Sequence, residues 1–434
     1  METTRHFDIG IIGAGASGLM AAIAASDRVR GERILLLEKN AQPGKKLFAT
    51  GNGRCNFLNR YATAEDFHSR EGGSAAEAWM SAAFADDVPA VLADLFLKLG
   101  IPSVCQDEGR MYPRSLQAES IVEALLFRVR LANVKLLTET SVIECRKEEN
   151  GFSLRDETGG LYHCASIIVA TGGKAGMQFG SSGDGYKIAR SLGHRIAKPI
   201  PALTQIVLES PDASLAGVRV RGAISLWCAE GGRKHEIARD EGEIQLTAEG
   251  VSGICTFNIS RYYEIGEGRS YSILMDFFPE YTPDKLLSFL RERVLQLRGR
   301  PARTFLNGLV PAKLAERLIA EARIDPVAFV ESLKEAELGR IAKQCKRYER
   351  RAAGTKSWTH AQVTAGGVVL DEVNPKTMQS DIVTGLYFAG EVLDVDGPCG
   401  GFNLMWAFAS GLAAGSSAGQ KAIQAGNGRS SRQG

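Results

Sequence analysis

Three glycines near the start of the chain have a spacing that can hold a pyrophosphate. They lie in the stretch IIGAGASGLMAA, after an apolar run and at the beginning of a helical pattern. At the GxGxxG spacing, the first glycine permits a tight turn, the second lets a phosphate approach the backbone, and the third lets helix and strand pack closely. The N–H groups at the helix N-terminus favour the bound anion. The residues predicted to form this phosphate site are Gly13, Ala14, Gly15, Ala16, Ser17 and Gly18.

An acidic residue follows at the distance expected for a ribose contact. Glu38 ends the second apolar run, RILLLEK, about 25 residues beyond Gly13. This is close to the usual spacing of about 20 residues between the glycine motif and the acid that binds the ribose. A carboxylate in this position accepts a hydrogen bond from a ribose hydroxyl. Lys39 is predicted to lie beside the adenosine. These features predict a dinucleotide, and they leave open whether it is a nicotinamide or a flavin.

Two later segments favour a flavin that is held along its whole length. The stretch IIVATGG, 167–173, leads a buried strand into small residues that let the backbone pass close to a cofactor. In the stretch GPCGGFNLM, a glycine pair precedes a predicted helix whose N-terminus suits the negative charge of a reduced flavin. Glu391 and Asp394 are expected to bond ribityl or ribose hydroxyls. The contacts predicted in these segments are Ala170, Thr171, Gly172, Gly390, Glu391, Asp394, Gly400, Gly401, Phe402, Asn403 and Leu404.

The order of apolar patterns predicts an α/β fold with a doubly wound parallel sheet. Strand, glycine turn, helix and strand follow one another over residues 7–39, which is a βαβ unit. A strand-rich stretch and then a helical stretch separate this region from a final dinucleotide-binding block. The predicted parts are an FAD-binding domain at 1–193, an inserted β-rich domain at 194–280, a helical subdomain at 281–350, a return of the β-rich domain at 351–366, the second part of the FAD-binding domain at 367–425, and a disordered tail at 426–434.

Composition limits the classes of partner. The 434 residues carry a formal net charge of +2 with no basic arm, which argues against nucleic acid. No apolar run reaches the roughly 18 residues that a membrane span needs, and no secretory signal pattern opens the chain. The eight cysteines are scattered without a CxxC pair, which favours reduced thiols, a cytoplasmic location and no metal site. We therefore expect a small-molecule substrate, no nucleic acid and no membrane, with the oligomeric state open.

Several longer motifs carry a resemblance to a known family. The stretches PGKKLFATGNGRCNFLN, GSSGDGYKIARSLGH, AQVTAGGVVLDEVNPKTMQS and GLYFAGEVLDVDGPCGGFNL occur in matching order. The chain resembles the FAD-dependent oxidoreductases that include aminoacetone oxidase-type and dehydro-bile-acid reductase-type flavoproteins. The resemblance implies a glutathione-reductase-like FAD domain with an inserted β-barrel-like unit that carries a helical subdomain. It also implies that Val142 meets adenine through its backbone, and that the flavin and pyrophosphate are lined by Lys45, Thr50, Gly51, Asn52, Arg54, Cys55 and Asn56.

Three residues are candidates for the chemistry itself. His360 directly precedes the AQVTAGG motif, and its imidazole could supply the proton that accompanies hydride transfer. Arg110 and Tyr112 could anchor a carbonyl or acid group of the substrate.

The expected reaction is hydride transfer between flavin N5 and a small or medium organic substrate. One form is reduction of an enone C=C bond by NAD(P)H, which would bind only transiently because no second GxGxxG follows a strand. The alternatives are an amine oxidase that uses oxygen, a flavin-dependent RNA modification protein and a non-catalytic FAD-binding module.

Overall fold

The computed structural model describes residues 5–264, 266 and 268–430. The chain divides into two compact units, Met1–Ile200 with Gln362–Gly434, and Pro201–Ala361. The second unit lies within the insertion that the sequence predicts at 194–366. The first unit is assembled from both ends of the chain.

The described residues contain eighteen strands and ten α-helices. The strands are β1 (Arg5–Ile12), β2 (Ile34–Leu37), β3 (Leu58–Asn59), β4 (Ser103–Cys105), β5 (Arg110–Pro113), β6 (Lys135–Leu137), β7 (Val142–Glu148), β8 (Gly151–Asp156), β9 (Leu161–Val169), β10 (Ile200–Ala202), β11 (Ile206–Leu208), β12 (Arg219–Glu230), β13 (Arg233–Leu246), β14 (Gly250–Ser252), β15 (Arg269–Asp276), β16 (Tyr348–Thr355), β17 (Val363–Ala365) and β18 (Leu386–Phe388). The helices are α1 (Ala16–Ser26), α2 (Gly73–Ala83), α3 (Val88–Lys98), α4 (Ala118–Leu131), α5 (Asp184–Ser191), α6 (Ile254–Ser260), α7 (Pro283–Gln296), α8 (Ala312–Glu321), α9 (Glu335–Lys346) and α10 (Phe402–Ser430).

The first unit is organised around a parallel sheet. Strands β6, β2, β1 and β9 are neighbours in that order, and β18 pairs in parallel with the C-terminal half of β9. Ile11, Leu36 and Val169 are completely buried, as expected for parallel strands covered on both faces. The antiparallel strands β8 and β7 extend the sheet from the N-terminal half of β9. The predicted Rossmann-like α/β fold is confirmed.

Small residues bring the first and last helices of this unit into backbone contact. A Cβ at Gly411 would lie 2.4 Å from the carbonyl oxygen of Ser17, and one at Gly415 would lie 2.2 Å from that of Ala21. Glycine is therefore required on α10 where it crosses α1. The tail predicted at 426–434 overlaps α10 as far as Ser430, and its last four residues lie outside the described part.

The second unit contains a closed barrel. Its strand order is β11, β14, β13, β12, β15 and β16, and β12 and β13 form a long hairpin. Ile224, Ile244 and Ile273 are fully buried and share one apolar core with Leu290 of α7 and Leu314 of α8. The predicted barrel-like insertion with a helical subdomain is confirmed. None of the described helices is both long and apolar enough to span a bilayer.

Candidate flavin site

The glycine turn after β1 has the geometry that a dinucleotide needs. Gly13 has a φ of +102°, and a Cβ at Gly18 would lie only 1.8 Å from the carbonyl oxygen of Gly13. At Gly15, by contrast, no described atom lies within 4 Å of the position a Cβ would take. Gly15 is also the N-cap of α1, and within the described residues no side chain caps this end. An open space next to uncapped helix amides fits a pyrophosphate.

Glu38 is fixed between the glycine turn and the end of β2. Its side chain is buried, and its carboxylate accepts hydrogen bonds from the amides of Ala14 (2.9 Å) and Asn40 (2.8 Å). The Asn40 side chain donates a third bond of 2.6 Å. These bonds hold the carboxylate beside the turn that the sequence predicts to bind phosphate.

The residues predicted near adenine line or adjoin one cavity of the first unit. Val142 begins β7 and lines a cavity of about 860 Å³ together with Asp184 and Ile188 of α5. Lys39 reaches the same helix, because its Nζ lies 2.7 Å from a carboxylate oxygen of Asp184. Neighbouring charges and hydrogen bonds, led by that of Lys39, outweigh the burial of Asp184 and hold its pKa below the usual range. The structure thus brings Lys39 and Val142 to a common region.

The TGNGRCN motif forms a loop with unusual backbone angles. Gly51, Asn52, Gly53 and Cys55 all have φ between +55° and +81°. This region is disfavoured for residues with a Cβ, so Asn52 and Cys55 carry backbone strain of the kind that is found at binding sites. The loop is closed by hydrogen bonds from the amide of Cys55 to the Thr50 carbonyl (3.0 Å) and from the Thr50 hydroxyl to the Leu47 carbonyl (2.7 Å).

A buried oxygen next to this loop lacks a partner. The side-chain Oδ1 of Asn56 has no hydrogen-bond partner in the part of the chain that the structure describes. A Cβ at Gly401 would lie 2.8 Å from this oxygen and 2.2 Å from the Leu58 carbonyl. Buried polar atoms normally have partners, so the unpaired oxygen indicates a missing donor from a ligand.

The N-terminus of α10 supplies donors close to Asn56. The amide of Met405 bonds the Gly401 carbonyl at 3.0 Å, so the preceding amides of Phe402, Asn403 and Leu404 have no acceptor within the helix. The ring edge of a flavin offers both acceptors and an N–H donor, which match these amides and the Asn56 oxygen. The described residues therefore fit FAD.

Other predicted cofactor residues have clear local partners. The buried carboxylate of Asp394 accepts bonds from the Ser69 hydroxyl (2.7 Å) and from the amides of Arg70 (2.9 Å) and Glu71 (3.0 Å). Burial raises the pKa of Asp394 despite these bonds. The Asn403 side chain bonds the backbone of Gly397 in both directions, at 2.9 and 2.7 Å. These two side chains anchor loops, and the bond from Asp394 to ribityl or ribose hydroxyls and the cofactor contact of Asn403 stay predictions.

Cys55 is placed in the cofactor loop as a buried thiol. Burial raises its pKa to about 12, so the thiol remains protonated at neutral pH. A protonated, inaccessible thiol is a poor nucleophile. The buried thiol packs in the loop, and the contact of Cys55 with the cofactor stays a prediction.

The three candidates for catalysis come from two parts of the chain, strand β5 and the end of the second unit. Tyr112 of β5 is buried, and the guanidinium of Arg54 lies 4.8 Å from the centre of its ring. Arg110, also in β5, pairs with Glu108. His360 belongs to the second unit, where its Nδ1 lies 3.1 Å from the hydroxyl of Thr359. Their roles in the reaction stay predictions.

Sequence reasoning missed two residues of the first unit that contact predicted cofactor segments. The Lys46 ammonium lies 2.8 Å from a carboxylate oxygen of Glu391, and the Thr364 amide lies 2.7 Å from the other oxygen. Both residues lie in motifs that the sequence analysis identifies. Lys46 follows Lys45 in the PGKKLFATGNGRCNFLN motif, and Thr364 lies in the AQVTAGG motif. The pairing joins residues 345 positions apart, and no local pattern reveals such a contact.

Comparison with known proteins is consistent with this site. Residues 7–417 match the family model described as HI0933-like protein Rossmann domain. The chain is 37% identical over 416 residues to a 3-dehydro-bile acid delta(4,6)-reductase of Clostridium scindens, covering 95% of this chain and 99% of that protein. It is 32% identical over 416 residues to a ribosomal RNA dihydrouridine synthase of Escherichia coli, covering 94% and 97% of the two chains.

Among solved structures, the quinol fumarate reductase FrdA of Escherichia coli superposes with a TM-score of 0.52. The two chains are 16% identical, and the match covers 97% of this chain and 71% of FrdA. At this identity the likeness shows the fold alone. Together with the match over residues 7–417, the glycine turn, the strained loop and the α10 N-terminus show that the chain belongs to the HI0933-like family and is an FAD-dependent oxidoreductase.

Proposed function

We propose that this flavoprotein reduces a C=C bond conjugated to a carbonyl group in a steroid-like small molecule, with NAD(P)H as the electron donor. The observation that carries the proposal is the 37% identity to the bile acid reductase over nearly the full length of both proteins. The name of that relative specifies reduction of an unsaturated ring system.

The net reaction adds one hydride and one proton across the double bond. The hydride goes to the carbon β to the carbonyl, the proton goes to the α carbon, and NAD(P)H provides the electron pair. Bound FAD supplies the hydride chemistry through its N5 atom. The protein must hold the ring, and Asn56 and the α10 amides of Phe402, Asn403 and Leu404 are the groups proposed to do so.

The protein must also polarise the substrate carbonyl and provide a proton. A donor to the carbonyl oxygen stabilises the negative charge that develops there during hydride addition. Arg110 and Tyr112 are proposed for this role, and His360 is proposed to deliver the proton. Variants Arg110→Gln, Tyr112→Phe and His360→Gln test each role separately, and the role is supported where turnover falls while FAD content is unchanged.

Anaerobic half-reactions test the direction of the reaction. The purified protein is reduced with NADPH or NADH, and the absorbance of oxidised flavin is then followed after addition of a 3-keto-4-ene steroid, or of oxygen. We expect rapid return of the flavin absorbance with the enone and formation of the saturated ketone. Rapid peroxide formation with an amine substrate, and no reaction with the enone, would instead support the amine oxidase alternative.

A second candidate is reduction of a uracil ring in RNA. The 32% identity to the ribosomal RNA dihydrouridine synthase of Escherichia coli favours it. This reaction is closely related to enone reduction, because the C=C bond of uracil that would be reduced is also conjugated to a carbonyl group. Incubation of the NADPH-reduced protein with ribosomal RNA, followed by mass spectrometry of the nucleosides, distinguishes the two. Gain of dihydrouridine supports the RNA substrate, and its absence alongside steroid turnover supports the small molecule.

A further inference from the structure

Four separate segments of the first unit meet at one ion pair. Lys46 lies in the loop after β2, and its ammonium donates to Glu391 (2.8 Å), which follows β18. The same ammonium donates to the carbonyl oxygen of Ala175 (3.1 Å), after β9. The second carboxylate oxygen of Glu391 accepts from the amide of Thr364 (2.7 Å) in β17. We refer to Lys46, Glu391, Thr364 and Ala175 as the Lys46 cluster.

The Lys46 cluster packs directly against the ATGG turn. The buried hydroxyl of Thr364 accepts hydrogen bonds from the amides of Lys174 (2.8 Å) and Ala175 (3.0 Å). A Cβ at Gly173 would lie 2.3 Å from that hydroxyl and 2.9 Å from a carboxylate oxygen of Glu391. The position of this turn is therefore set by the cluster, with no space between them.

The ion pair is more protected from water than an ordinary surface pair. The side chains of Lys46 and Glu391 are 31% and 18% exposed. The Lys98–Asp94 pair on α3 has almost the same length, 2.7 Å, but its side chains are 71% and 60% exposed. Solvent strongly screens the attraction between exposed charges. The attraction between Lys46 and Glu391 is therefore stronger than that of the α3 pair and holds their two segments together more firmly.

We infer that Lys46 is a positioning residue for FAD, because it joins three backbone segments that lie in or next to the predicted cofactor contacts. These segments are the loop around 45–56, the stretch at Ala175 directly after the ATGG turn, and the turn at Gly390–Glu391. Strands β9 and β18 pair directly before the two turns, and Lys46 adds the side-chain link from the loop around 45–56 to both. The inference rests on FAD as the cofactor and is independent of the substrate.

The test measures FAD binding in the absence of substrate. Apo-protein is titrated with FAD, and the dissociation constant is obtained from quenching of flavin fluorescence. We expect Lys46→Ala to weaken binding about tenfold, in the range of coupling energies for contacting charged residues. Lys46→Arg keeps the charge and should restore binding to within about twofold of the unmodified protein. The matched control Lys98→Ala removes an ion pair of similar length far along the chain and should leave binding unchanged.

A double-mutant cycle and melting temperatures separate positioning from general stability. Because both residues act through one interaction, Lys46→Ala should have a much smaller effect in a Glu391→Gln background than alone. The apo-protein of Lys46→Ala should keep one cooperative unfolding transition with only a small fall in melting temperature, because Glu391 retains the bond from the Thr364 amide. The inference is overturned if Lys46→Ala binds FAD normally, if the effects of the two substitutions are additive, if arginine gives no rescue, or if the apo-protein of Lys46→Ala is broadly destabilised.

Discussion

Substitution of Gly15 by alanine should separate cofactor binding from folding. Gly15 has φ of −81° and ψ of −165°, angles that alanine adopts without strain. No described atom lies within 4 Å of the new Cβ, so the methyl group would project into the space proposed for the pyrophosphate. The folded protein has room for this methyl group, whereas a bound pyrophosphate would clash with it.

The size of each effect follows from these contacts. Alanine lowers the entropy of the unfolded chain but is a poorer N-cap than glycine, and the two terms offset to within about 0.5 kcal/mol. Pushing the pyrophosphate away from the α1 amides breaks one or two charge-assisted hydrogen bonds, each contributing about 1.5–3 kcal/mol. A loss of about 3 kcal/mol corresponds to roughly hundredfold weaker FAD binding.

The assay pairs a calorimetric FAD titration with urea unfolding of the apo-protein. Gly18→Ala is the matched control from the same motif, because its Cβ would lie 1.8 Å from the Gly13 carbonyl oxygen. It should destabilise the apo-protein by about 3 kcal/mol or more, since backbone must move. If Gly15→Ala binds FAD as tightly as the unmodified protein, the pyrophosphate does not lie at this turn and the reasoning is refuted.

Three further predictions concern other parts of the first unit. Asn56→Ala removes the unpaired buried oxygen, so the apo-protein should be no less stable by urea unfolding while FAD affinity falls about tenfold. Tyr112→Phe should retain FAD affinity because the ring under Arg54 remains, whereas Tyr112→Leu should lower it in the same fluorescence titration. Burial lowers the pKa of His194 in the folded protein. The unfolded chain therefore takes up the proton first, and stability should fall as the pH drops below about 6.5. Urea unfolding across that range should show a smaller loss in His194→Gln, and an equal loss in both proteins would contradict the assignment.

Local patterns predicted the elements that build the sheet. The apolar runs of β1, β2 and β9 and the glycines after β1 are contiguous in sequence, and the structure places them as expected. The βαβ order alone was enough to indicate a parallel sheet. The inserted barrel was also predicted, from strand-like alternation and from the family resemblance.

Contacts between distant segments were not predictable in the same way. The contact of Asp394 with a ribose or ribityl group stays a prediction, and no sequence pattern indicated that its carboxylate accepts from Ser69 and the two following amides, 323–325 residues away. A carboxylate near a glycine motif has the same sequence signature in either role. The positive φ of Cys55 likewise has no sequence signal, because the surrounding loop imposes it rather than the residue type.

The close crossing of α1 and α10 affects when the protein can acquire its cofactor. During synthesis the phosphate-binding turn is made well before the helix that packs against α1 through Gly411 and Gly415. Until that helix emerges, α1 has its small-residue face uncovered, and the amides of Phe402, Asn403 and Leu404 do not yet exist. We therefore expect the protein to retain FAD only after α10 has packed on α1.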